Sequence, residues 1–124
     1  MGRMDTYELT RGEGGAKLRF SVQYLGDGLV ACVCNENAHL GAVALAEYDY
    51  KEERVSTSVI TRLGHKDDAV AQRAAYLLSK NTKRPTCVIA SVHIASITEE
   101  EIKSVLETVD LMVKDFLRHS TRVS

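Results

Sequence analysis

The sequence predicts an α+β domain, an antiparallel or mixed sheet with two helices packed on one face. Three observations carry that prediction. Through the first half of the 124 residues, apolar positions recur with a period of two or gather in short runs, as in strands. In the second half the period lengthens to that of amphipathic helices. One more apolar run lies between the two helical stretches, which gives the element order β-β-β-β-β-α-β-α.

Residues 7–11 read as an edge strand. In the next strand Leu18, Phe20, Val22 and Tyr24 alternate with Arg19, Ser21 and Gln23, so one face is buried. Gly26-Asp27-Gly28 supplies the backbone freedom of a tight hairpin. Residues 29–34 and 41–46 are continuous apolar runs, the pattern of strands covered on both sides, and a polar stretch follows over 47–54. Residues 55–61 are rich in β-branched side chains and form a fifth strand. Short turns between successive strands imply an antiparallel meander.

The first helix is expected over 66–79, on the stripe Val70, Ala74, Leu77 and Leu78 widened by Ala71 and Ala75. Pro85 disfavours helix at the residue before it, and the segment 81–85 ends the element. Residues 86–94 form a buried strand. Thr98 followed by Glu101 is a capping box, after which Ile102, Val105, Val109, Met112, Val113 and Phe116 share one helix face. One domain is expected over 1–124, with its core over about 7–117 and flexible ends at 1–5 and 119–124.

The composition narrows the function. A net charge of -1 with no basic stripe argues against nucleic acid. No apolar run reaches bilayer length, and the start of the chain lacks a secretory apolar core, so a cytoplasmic protein with no membrane association is expected. Cys32, Cys34 and Cys87 are an odd set inside apolar runs, so reduced thiols packed in the core are expected. Two helices cannot cover both faces of so apolar a sheet. A homodimer through sheet or helix surfaces is the expected remedy.

Chemistry concentrates at Gly64-His65-Lys66-Asp67-Asp68, between the fifth strand and the first helix. A glycine there lets the backbone approach a ligand, the first helical N–H groups lack intrahelical partners, and His65 and Lys66 add donors and charge. That combination suits a phosphate or carboxylate. It also suits the plainer arrangement in which Asp67 and Asp68 favour the helix dipole and Lys66 is solvated. The spacing is not that of a Walker A loop. His39 and Gly41 flank the turn into the fourth strand, and His93 lies in the apolar strand, which implies burial or a place at the strand's end, a satisfied core histidine being the common role. His119 reads as a favourable charge at the end of the last helix. No metal is expected, since Cys32-x-Cys34 has no second pair and no His-Glu-x-x-His or Cys-x-x-Cys occurs. No nucleophile elbow is present, so catalytic residues are expected to be absent.

Residues 38–44 (Ala-His-Leu-Gly-Ala-Val-Ala), the junction Gly64-His65-Lys66-Asp67-Asp68, and Val92-His93-Ile94 with its continuation over 97–102 resemble the prenylated-flavin chaperone family. These are the small D subunits associated with gallate-type, UbiD-like decarboxylases. The resemblance spans about 7–117, and Ala95-Ser96 departs from the family's aspartate-asparagine pair. It implies a fold like the small proteasome-assembly chaperones, and a dimer. It implies a non-catalytic carrier of prenylated flavin mononucleotide, or flavin mononucleotide, that assists a UbiD-like decarboxylase. In that reading Gly64, His65 and Lys66 hold the flavin phosphate, His39, Gly41 and His93 border the pocket, Arg62 is a further cation, and Tyr48 or Tyr76 stacks on the ring. The competing expectations are a small decarboxylase or lyase using histidines as acid and base, and a structural dimeric subunit of a larger enzyme.

Overall fold

Alternation sorts each strand's side chains onto two faces, and in the computed structural model, which describes residues 6–36, 39–62, 67–94 and 96–123, one face is the core. The chain runs through β1 (Thr6–Arg11), a short turn of 3-10 helix at Gly14–Ala16, β2 (Leu18–Leu25), β3 (Gly28–Cys34), β4 (Ala42–Asp49), β5 (Arg54–Thr61), α1 (Asp68–Thr82), β6 (Thr86–Ser91) and α2 (Glu99–Val123). Leu18, Phe20 and Val22 of β2, Leu29, Ala31 and Val33 of β3, and Val88 and Ala90 of β6 are buried on that common face with Val70 and Ala74 of α1 and Val109 and Phe116 of α2. Both helices therefore lie on one side, as expected.

The meander does not form. The sheet order is β1-β2-β3-β6-β4-β5, with β6 parallel to β3 and antiparallel to β4. Tight turns join β2 to β3 and β4 to β5, whereas residues 35–41 are long enough to step over one strand position, roughly 10 Å. The last strand takes a central place, where it is paired on both edges. The sheet is mixed for that reason.

Ends of elements differ from expectation in informative ways. β4 continues through Glu47 to Asp49 because those residues pair with Ser56 and Arg54 of β5. β6 stops at Ser91, short of 94, and α1 runs to Thr82, closed by Lys83 in the left-handed conformation with its N–H donating to the Ser79 carbonyl. The three cysteines are free but do not sit in the core. They alternate with Ala31, Val33 and Val88, and so point to the face away from the helices, half-buried. The junction Gly64-His65-Lys66 lies outside the described residues. No helix among the described residues is long and apolar enough to cross a membrane.

Small residues set how closely α1 approaches. Ala42, Ala44 and Ala46 of β4 meet Ala71, Ala74 and Ala75 of α1, so the helix lies close to the sheet. α2 packs beside α1, tied by the Arg73–Asp110 pair at 2.8 Å, and its Phe116 ring stands 5.3 Å from Tyr7 of β1. Its start is the expected capping box. The Thr98 N–H donates to Glu101 Oε1 at 2.9 Å, and the Glu101 N–H donates to Thr98 Oγ1 at 3.1 Å. Thr98→Ala removes one of these bonds and is expected to cost about 1 kcal/mol, lowering the thermal midpoint by roughly 4 °C in a scanning melt.

Candidate functional site

Beyond Ser91 the chain leaves the sheet, and its backbone groups need new partners. Asn35, just past the end of β3, supplies them. Its Nδ2 donates to the His93 carbonyl at 2.7 Å and its Oδ1 accepts from the His93 N–H at 3.1 Å. Asn35 is 5% exposed, so both bonds form in a largely dry setting. Next to it, Ser91 Oγ donates to the His39 carbonyl at 2.7 Å. These bonds hold the two loops side by side, and the His39 and His93 rings stand 5.0 Å apart between centroids.

The start of α1 closes the third side. Asp67 is the residue before the helix, and its carboxylate makes no capping bond to it. Instead Asp67 Oδ2 accepts the Val92 N–H at 3.1 Å, and the side chain is 6% exposed. It packs on Gly41, where an added Cβ would come within 1.7 Å of Oδ2. Gly41 is therefore a glycine because a carboxylate occupies the space of its side chain. Its own N–H donates to the Ala90 carbonyl, which seats β4 against β6.

A cavity of about 460 Å³ opens between these parts and the first turns of α2. His39, Asp67, His93 and Ser96 supply its polar lining, while Ile94, Ile97, Ile102 and Val105 make much of its apolar wall. Volume and mixed lining are those of a small-molecule pocket. Ser96 sits at φ 51°, in the left-handed region that asparagine tolerates better than serine. Among the described residues no cluster of three or more metal-ligating side chains forms.

Of the residues singled out from the sequence, His39 and His93 come together. His93 is exposed past the strand end rather than buried within it. Gly41 adjoins the cavity indirectly, through Asp67. Arg62 is exposed, donates to the Leu40 carbonyl at 3.0 Å and does not line the cavity. Gly64, His65 and Lys66 are outside the described residues, immediately before Asp67 in the chain. Tyr48 is at the far end of the sheet beside Tyr50 and Lys83, Tyr76 is beside Lys80 on α1, and neither reaches the cavity. His119 lies 4.9 Å from the Tyr7 ring, within a helix that continues past it. Sequence reasoning missed Asn35 and the packing role of Asp67. The signal for the second was available, a glycine at a strand start and an acid at a helix start.

The sequence profile of a family described as "Prenylated flavin chaperone LpdD-like domain" matches residues 12–121. No curated protein matches the chain in sequence. Among solved structures, one described as "Crystal Structure of a Novel Chaperone Complex for Yeast 20S Proteasome Assembly" superposes with a TM-score of 0.63 at 19% identity, covering 94% of this chain and 96% of that one. At that identity the likeness concerns the fold.

Two substitutions test the site's frame. Gly41→Ala forces a Cβ into the Asp67 carboxylate and is expected to cost about 1–3 kcal/mol in denaturant unfolding. Combined with Asp67→Ala, the two losses are expected to sum to clearly more than the double variant loses, because the smaller side chain relieves the clash. Asn35→Ala is expected to cost about 1–3 kcal/mol by stripping both His93 backbone groups of their partner, and Asn35→Asp, which sets a carboxylate oxygen against the His93 carbonyl in a buried place, is expected to cost at least as much.

Proposed function

The chain belongs to the prenylated flavin chaperone LpdD-like family, and on that premise we propose that it carries prenylated flavin mononucleotide, or flavin mononucleotide, for a UbiD-like decarboxylase. The observation that supports this most directly is the 460 Å³ cavity whose mouth carries the His39–His93 pair. An isoalloxazine needs a flat apolar wall for its ring and polar groups for its heteroatom edge. The isoleucines of 94, 97 and 102 and the two imidazoles are chemically suited to those needs. A ribityl phosphate needs cations, and His65 and Lys66 precede the cavity-lining Asp67 in sequence. We assign them that role, with the Gly64 backbone.

The protein in this reading is a non-catalytic homodimer. Its described cavity offers two imidazoles and a carboxylate already committed to Val92, so it is equipped to hold and release a cofactor. A carrier must give up its cargo, so micromolar affinity, about -8 kcal/mol, is the useful range. Calorimetric titration with reduced flavin mononucleotide is expected to give a micromolar Kd, weakened about tenfold or more by Lys66→Ala and by the His39→Ala/His93→Ala pair. Absence of binding heat, or heats untouched by all three changes in folded protein, removes the carrier reading. The imidazole pair also suits an acid–base enzyme, which turnover of an aromatic acid by the purified chain alone would reveal.

A further inference from the structure

We propose that the Asp67 carboxylate selects the ligand of this cavity by accepting a hydrogen bond from an imide N–H, and so turns the pyrimidine-dione edge of a flavin toward the start of α1. The inference rests on the carrier reading of the preceding section and adds which residue recognises the ring, and by which atoms.

Placement is the first argument. Asp67 lines the cavity and is otherwise almost wholly enclosed, at 6% exposure. A carboxylate offers about four acceptor positions on its two oxygens, and the Val92 N–H, 3.1 Å from Oδ2, uses one of them. That bond and the bare Cα of Gly41 fix the side chain, which makes no capping bond to its own helix. An acceptor held in this way needs little ordering when a ligand arrives.

Chemistry narrows the ligand. An ionised carboxylate accepts hydrogen bonds and donates none, so a carbonyl or phosphate set against it is repelled, and only an N–H, an O–H or a cation suits it. The bond to Val92 brings the carboxylate beside the next residue, His93, whose ring is 5.0 Å from that of His39. Each imidazole carries one N–H when neutral and two when protonated. An acceptor with donors beside it complements a ligand edge that runs carbonyl, N–H, carbonyl. A cation would answer the carboxylate but set positive charge against the imidazole N–H groups. A sugar hydroxyl would answer it too, but offers nothing to the wall of Ile94, Ile97 and Ile102. The isoalloxazine ring meets both needs, with an imide at one edge, oxidised or reduced, and an apolar dimethylbenzene at the other. Burial sharpens the choice, because a ligand without the N–H leaves an enclosed acceptor unanswered.

Calorimetric titration of the full chain with reduced flavin mononucleotide, and with its analogue methylated on the imide nitrogen and reduced alike, tests this. The methyl group removes the imide N–H and keeps both carbonyls. Wild type is expected to bind the parent about tenfold or more tighter than the analogue. Asp67→Asn keeps the size of the side chain and an acceptor for Val92. It is expected to bind the parent about tenfold less tightly and to separate the two flavins by less than about threefold. Equal binding of both flavins by wild type, or a ratio that Asp67→Asn leaves unchanged, means that Asp67 is only part of the frame and overturns the assignment, while the carrier reading stands. No binding heat from either flavin removes the carrier reading and this one with it. Should Asp67→Asn fail to fold by circular dichroism, the wild-type ratio decides alone.

Discussion

One buried carboxylate joins the parts on which the site depends. Asp67 begins α1, rests on the bare Cα of Gly41 at the start of β4, and accepts the Val92 N–H just beyond β6. Three elements far apart in sequence thus meet at one side chain. A carboxylate buried to this degree is costly unless its charge is answered. The Val92 N–H and the positive end of α1 supply part of that answer. Moving the helix along the sheet would lift Asp67 out of its seat, so the same contact that positions α1 also fixes the width of the cavity mouth.

That arrangement constrains where an anionic cargo can sit. A phosphate beside an ionised Asp67 would meet like charge, and at 4 Å in a partly screened site that repulsion is on the order of 4 kcal/mol. An anionic group would therefore lie away from Asp67 or beside a cation, and in sequence the nearest is Lys66. The apolar side chains of Ile94, Ile97 and Ile102 and the polar groups of His39, Asp67 and His93 give the cavity surfaces of both characters.

Much of this was legible from residues alone, and the parts that were not have a common cause. Period-two alternation located β2 through Phe20 and Val22, and the capping box located α2 through Thr98 and Glu101, because each is written within a few consecutive residues. The insertion of β6 between β3 and β4 was not legible, since Val88 and Ala90 look the same whether they pair with neighbours in sequence or with distant strands. The cysteines went to the wrong face for a related reason. A continuous apolar run says that both sides of a strand want cover, but not which side the helices take. His39 and His93 were recognisable only as separate histidines. Their meeting depends on Asn35, whose pair of hydrogen bonds to the His93 backbone has no local signature. Gly41 was noticed as a glycine near a ligand, and its reason is instead the carboxylate packed against it.

The two surfaces of the sheet differ in what they present. The cavity is built by the loop before β4, the segment that follows β6 and the starts of α1 and α2, and among the described residues the open face contributes nothing to its lining. β6 separates the two, presenting Cys87 and Ile89 to one side and Val88 and Ala90 to the other. The fold thus keeps its cavity on one side of the sheet and its three half-buried thiols on the other.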